Sequence, residues 1–294
     1  MVMKLFLYFI SLLFSFSCFA QSSTFDFEKE LDFLLYLGQN GQHADIYFYG
    51  DELLNKKDLN KSQKDSLNFF MGIIQFKELN YDKSIKFLSR VSDESMFYPK
   101  STFYSEICFI EKHDYSTAFN SLKEVQLDKN NDLLQQLKSF ELAGLSLLKR
   151  DYKSFDSLSV FFNTSNVILS NEQQLQKKEY YNKLKNLKRR SPVLAGTLSA
   201  IVPGLGLVYA GNNGQALAAF IRVAALGALS AETYIKLGPK NPQFIISASL
   251  FSFFYLGNIW GSVLCVQIIK NEKLKEIDNN IMVGLRIPID NFFK

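Results

Sequence analysis

Histidine and cysteine are scarce in this chain. Its 294 residues hold two histidines and three cysteines. His43 and His113 are far apart and each sits beside an expected turn, so neither a metal site nor a histidine-based triad is supported. Cys18, Cys108 and Cys265 are too dispersed for a disulfide framework; Cys108 reads as a small buried hydrophobe. No phosphate-binding glycine loop occurs: Pro203-Gly204-Leu205-Gly206 lacks the lysine and the preceding strand that such a loop requires. Paired acids such as Asp93 and Glu94 read as solvated surface. The expectation is therefore no catalytic residue, no cofactor, no metal ligand and no enzyme activity. Charge is the other scarcity. A net charge of +4 is too mild to argue for nucleic acid, and from Ser191 to Ile269 only Arg222, Glu232, Lys236 and Lys240 are charged. A water-soluble domain of that length carries far more, so this region has a different solvent.

The first residues have the layout of a secretory signal. Lys4 supplies the positive end. Leu5 to Phe16 is apolar but shorter than the ~20 residues that span a bilayer. Cys18-Phe19-Ala20 then offers small residues at the two positions a signal peptidase reads, which places cleavage after Ala20. Acylation at Cys18 and an uncleaved anchor are the rival readings, although Ser15-Phe16-Ser17 makes a poor context for the first.

From Phe25 to Asn163 apolar residues recur at three and four positions, the period of an α-helix. Leu31, Leu34 and Leu35 share one face, as do Leu67, Phe70, Met71 and Ile74, then Phe103, Ile107 and Ile110, then Leu134, Leu137, Leu142 and Leu145. Pro99 marks a helix start. The helices come in pairs with a repeated joint at Tyr81, Tyr115 and Tyr152, spaced 34 and 37 residues apart. A small residue follows three positions after the first two tyrosines, Ser84 and Ala118, whereas Phe155 follows the third. Gly72 and Ala143 take the small position of the preceding helix, and Glu106 stands there in the middle pair. This spacing resembles degenerate tetratricopeptide repeats over about half of the chain. An earlier pair, Phe25–Gly38 and Ala44–Asn55, begins the stack. The resemblance implies an all-α solenoid over residues 21–170 whose concave face binds a protein; the plainer alternative is a spacer that binds nothing.

Residues 171–191 form a basic amphipathic helix and linker. Seven of its residues between Lys177 and Arg190 are basic against one acid, Glu179. It either closes the array or lies on anionic headgroups, and the two roles are compatible. A membrane domain follows over 192–270. Gln215–Leu237 and Phe244–Ile269 are long enough to span and are joined by a tight Gly238–Pro242 turn. Residues 192–211 are apolar but broken at Pro203–Gly206, which suits a re-entrant or interfacial element whose freed backbone groups need protein cover. The sequence here reads Pro203-Gly204-x-Gly206-x-x-Tyr209-x-Gly211, followed later by Tyr255-x-Gly257-Asn258. It resembles a family of small bacterial membrane domains of uncharacterised function that share these two motifs; Leu207 departs from that pattern, where glutamine is usual. Gly196, Ala200 and Gly204, and again Gly257 and Gly261, fall every fourth residue, a spacing that lets membrane helices pack with close backbones. Asn258 is the best candidate for a hydrogen bond across helices. Arg222 and Glu232 either snorkel to the interfaces or face a polar site with Tyr209, Asn258 or Tyr255.

Topology rules conflict. Two spans place Lys236 and Lys240 in the cytoplasm, as the positive-inside rule prefers, but leave the seven-charge cluster outside it. Three spans do not remove that conflict. The reading is two spans plus the re-entrant element, with a polar tail over 271–294 in which Ile281–Ile289 forms a short strand or an extended binding segment. The expected protein is an adaptor at a bacterial inner membrane, its repeats in the periplasm, its partners another protein and membrane lipid. The alternative is a subunit of an assembly, insertion or transport machine in which the glycine-rich hairpin is the working part.

Overall fold

The computed structural model describes residues 25–293 except 57, 129–130, 161–170 and 188–189. The expected signal segment, with Cys18 and Ala20, lies outside the described residues, as do Lys188 and Arg189. Every long element among the described residues is an α-helix, and none of them is a strand. The chain divides into two compact units, residues 1–108 and 109–294.

The first unit contains α1 (Phe27–Gln39), α2 (His43–Leu54), α3 (Lys61–Lys77) and α4 (Tyr81–Leu88) and most of α5 (Tyr98–Glu111). Polar caps start these helices. The Asp26 carboxylate accepts from the Glu28 amide, and Asn60 and Gln63 exchange hydrogen bonds between side chain and backbone at the head of α3. Each such cap contributes about 1 kcal/mol. One apolar core collects Leu34, Leu37, Ile46, Leu53, Met71 and Phe87. Leu35 is exposed and Leu31 only half-buried, so the inner face of α1 runs through Leu34 and Leu37 rather than through Leu31, Leu34 and Leu35. α3 and α4 approach closely because Gly72 has no side chain. A Cβ there would sit 2.5 Å from Leu88, and the Ser84 hydroxyl donates to the Gly72 carbonyl at 2.9 Å.

The second unit holds α6 (Tyr115–Glu124), α7 (Asp132–Leu148), α8 (Tyr152–Ser159), α9 (Asn171–Lys185), α10 (Pro192–Ile201), α11 (Leu205–Ala210), α12 (Asn213–Leu237) and α13 (Pro242–Phe292). α7 is its centre, buried from Leu134 to Leu148 along one face and over most of its last turns. α12 and α13 form an antiparallel hairpin: Tyr234 meets Phe244, Thr233 meets Ser247, and the Phe251 ring lies beside Gly227. Both are long and apolar enough to cross a membrane, and only 17 % and 22 % of their apolar stretches are buried. That exposure distinguishes them from the core helix of a water-soluble domain, which buries its apolar surface.

α13 does not stop at the end of its apolar part. The 51-residue helix runs on through Phe292, about 77 Å in all. The segment from Ile281 to Ile289 is thus helical, neither strand nor extended. Ile277, Ile281, Leu285 and Ile289 fall every fourth residue and are buried, and this stripe overrides the β-branched character that suggested a strand. Leu285 fits over Gly144 of α7, where a Cβ would lie 2.3 Å from the leucine methyl. Arg150, just past α7, grips Asp278 with two bonds of 2.8 Å, and the Tyr115 hydroxyl reaches Met282 Sδ at 3.8 Å.

The joints repeat one backbone motif. Leu79, His113 and Arg150 have φ of 60°, 58° and 62°. Each donates its amide to a carbonyl three residues back, and the next residue donates to one five back. This is the Schellman ending, ordinarily made by glycine. Gly41 ends α1 in the same way. Tyr81, Tyr115 and Tyr152 are each the first residue of the helix that follows.

Candidate functional site at the Pro-Gly junction

Ser191 and Pro192 start α10 by sequence rule: the serine hydroxyl accepts from the Leu194 amide and the proline fills the first turn, where no amide donor is needed. The helix ends at Ile201, since Pro203 cannot continue it and Gly204 turns left-handed at φ 85°. α11 then lies against α10. Gly206 is required there, because a Cβ would stand 1.9 Å from the Ala195 carbonyl oxygen. Gly204 is required twice over, by its φ and by the Ala216 carbonyl 2.4 Å from where a Cβ would be. Gly211 closes α11 at φ 91° with the Arg190 guanidinium against it, donating to the Ala210 carbonyl.

The backbone groups freed by the break are satisfied by side chains of α13 and α10. The Asn258 side chain accepts from the Gly204 amide at 3.0 Å and donates to the Ser199 carbonyl at 3.3 Å. The Ser199 hydroxyl accepts from the Gly206 amide at 2.9 Å and pairs with Ser262 Oγ at 2.6 Å. All of these bonds are buried. At the rim, the Tyr255 hydroxyl donates to the Ala200 carbonyl at 2.5 Å and Tyr209 Oη accepts from the Ser191 amide at 3.1 Å. Pro203, Gly204, Gly206, Tyr209, Gly211 and Asn258 are therefore one cluster. Ser199 and Ser262 belong to it too; the only trace of them in sequence is a hydroxyl within an apolar run.

Gly257 and Gly261 do something different from the close packing that their spacing suggests. Nothing lies within 4 Å of a Cβ at either position. They open one side of a cavity of ≈ 500 Å³ on the hairpin, together with Arg222, Phe253 and Val223. The four-residue spacing is used at Gly196, where a Cβ would lie 2.9 Å from Val263, but the packed face of α10 is Ala195, Gly196 and Ser199; Ala200 is exposed. Arg222 lies over the Phe254 ring at 5.6 Å, and Glu232 pairs with Lys236 at 2.6 Å.

The tyrosine joints do not join this cluster. Tyr81 packs on Phe76, Tyr115 bonds His113 Nδ1 at 2.8 Å, and Tyr152 meets the edge of Tyr181. Phe155, the misfit in the repeat pattern, stacks on Tyr181 at 4.8 Å and so ties α8 to α9.

Two charged residues escaped sequence reasoning. Lys177 belongs to the basic helix but is buried, its ammonium on the Phe140 carbonyl at 2.7 Å and over the Phe140 ring. Leu175 of that helix is exposed; the inward positions are Gln174, Lys177 and Leu184. Glu141 is wholly buried. Burial pushes its carboxyl up to about 8, with the nearby Lys177 charge pulling it back. Among the described residues no group of three histidine, cysteine or acidic side chains is placed to hold a metal. Cys108 and Cys265 are buried, and neither is in a disulfide among the described residues.

No protein-family model, curated protein or solved structure matches the chain. The functional reading thus rests on geometry.

Proposed function

We propose that this protein is a non-enzymatic, membrane-anchored adaptor: its helical pairs form a tetratricopeptide-like array that binds a protein partner, and the α12–α13 hairpin holds that array at a bilayer. The observation that carries the reading is the continuous α13. It leaves the apolar hairpin and docks through Leu285 on α7, through Asp278 on Arg150 just past α7, and through Met282 on Tyr115 of α6, so the anchor and residues 109–185 share one packed unit. An adaptor needs such a join, because a floppy tether would leave the bound partner free to wander.

The same docking favours two crossings. The tail of α13 lies against helices that precede α10, so both are on one face of the bilayer. An odd number of spans between them is incompatible with that contact. α10 and α11, about 15 Å and 9 Å long, are too short to cross a ~30 Å hydrocarbon layer. The expected signal segment carries the orientation in this reading: the array lies in the periplasm of a bacterial inner membrane, with Lys236 and Lys240 on the cytoplasmic face and the basic residues of 177–190 outside it, against the positive-inside preference.

A second reading is favoured by the buried Asn258–Ser199–Ser262 network and by the cavity at Arg222: the hairpin is the working part of a membrane assembly or transport machine. One experiment separates the two. Residues 192–270 are exchanged for an unrelated two-span hairpin, keeping the docked tail, and proteins crosslinked in native membranes are identified. Retained capture of the same partner with retained phenotype supports the adaptor; loss of phenotype with the array still folded supports the machine. Extraction of the wild-type chain by alkaline carbonate would refute the membrane anchor itself.

A further inference from the structure

A cavity of ≈ 460 Å³ lies where α9 meets the end of the apolar part of α13. Its two ends differ in chemistry. Toward the polar end stand Lys183, Lys270 and Lys273, with Glu276 as the one acid, while Arg190 enters beside Ala210. Toward the apolar end the lining is Ala210, Val266 and Ile269, continuous with the stretch of α13 that is uncharged from Pro242 to Ile269.

Two of the four cations are engaged internally and two are not. Lys183 pairs with Glu179, and Arg190 spends one nitrogen on the Ala210 carbonyl. Lys270 and Lys273 are exposed and, among the described residues, neither has an acid within 4 Å. A concave site with surplus positive charge above and hydrocarbon below, at the point where a span leaves the apolar layer, matches an amphiphile with a negative head. We propose that this cavity binds the phosphate of an anionic phospholipid headgroup, with an acyl chain along Val266 and Ile269. A soluble anion gains nothing from the apolar floor, and a zwitterionic lipid gains little from the unpaired lysines. The inference rests on the membrane reading of the hairpin and deepens it: the lipid cements α9 to α13 at the interface, beside the place where the chain turns into the Pro-Gly junction.

The test uses the full chain in detergent micelles, with lipid adducts counted by native mass spectrometry. Dioleoyl phosphatidylglycerol is titrated against dioleoyl phosphatidylcholine, inorganic phosphate and glycerol phosphate. Phosphatidylglycerol should be retained in preference to all three. Each lysine beside an anionic headgroup is worth about fivefold in affinity, so K270Q/K273Q should weaken retention on the order of 25-fold. K240Q, at the far turn of the hairpin, should leave it unchanged. Both substituted lysines are exposed, and an unaltered melting temperature checks that the variant folds. Equal retention by wild type and K270Q/K273Q, or of the two lipids, overturns the proposal. Equal binding of inorganic phosphate assigns a free-anion site instead and also overturns it. A chain that stays monodisperse without detergent refutes the membrane reading, a result distinct from either failure.

Discussion

Replacing Gly206 with alanine puts a methyl group where none fits. Its Cβ would lie 1.9 Å from the Ala195 carbonyl oxygen and 2.6 Å from Ser199 Oγ, against about 3.4 Å for ordinary contact. The nearest obstacle is helix backbone, so α11 has to retreat from α10 by about 1.5 Å. Overpacking of this kind costs about 1–3 kcal/mol. The retreat also breaks the buried Gly206 amide bond to Ser199, which adds about 1 kcal/mol. A total near 3 kcal/mol lowers the melting temperature of a unit this size on the order of 10 °C. Gly257→Ala is the matched control: it is a glycine of the same hairpin domain with nothing within 4 Å of its Cβ, and alanine gains helix propensity there. The assay is thermal unfolding in micelles with a thiol-reactive fluorophore. In a Cys18→Ser, Cys108→Ser background the buried Cys265 alone reports on the second unit. G206A melting within 2 °C of the parent, a margin well inside the shift expected for about 3 kcal/mol, would refute the reasoning, and so would G257A proving the more damaging of the two.

Other perturbations probe the remaining contacts. Asn258→Ala strips both partners from the break, leaving the buried Gly204 amide unpaired, and should cost about 2–3 kcal/mol in the same assay; wild-type melting would show the bonds to be dispensable. Arg150 and Asp278 are partly exposed, so a double-mutant cycle with R150A and D278A should give a coupling of only about 1 kcal/mol. A coupling near zero would mean that the apolar stripe alone docks the tail. Glu141 has a folded-state pKa raised from 4.5 to about 8, so the folded protein holds a proton that the unfolded chain has released. Stability relative to E141Q should fall as pH rises from 5 to 8, by at most on the order of 4 kcal/mol. Parallel melting curves for the two proteins across that range would contradict the assignment.

The helical period, Pro99 and the Ser191-Pro192 start were legible in sequence because each acts within one turn of its own position. So were the positive-φ glycines of the junction, since few other residues tolerate that backbone. The Schellman joints were hidden by Leu79, His113 and Arg150, which adopt the left-handed conformation at a cost of about 1–2 kcal/mol apiece. Gly257 and Gly261 misled because spacing says that a helix face is smooth, not what lies opposite it. The fate of Lys177 and the course of α13 depend on α7 and its flank, more than thirty residues away in the chain. Ile281–Ile289, with four β-branched residues in nine, reads locally as strand or extended chain, and it is the face waiting at Gly144 that receives it as a helix.

The docking of Leu285 on Gly144 also sets a timetable. Leu285 leaves the ribosome 141 residues after Gly144, which at about 5–20 residues per second is a delay on the order of 10 s. Throughout that interval the place of Leu285 on α7 is unfilled, and the chain being made includes the whole hairpin. This face of α7 is closed by residues that arrive only once the whole α12–α13 hairpin has been made. On the proposed membrane reading, closure of this seat waits on insertion of the hairpin, and a molecule whose hairpin fails to insert displays an uncovered α7.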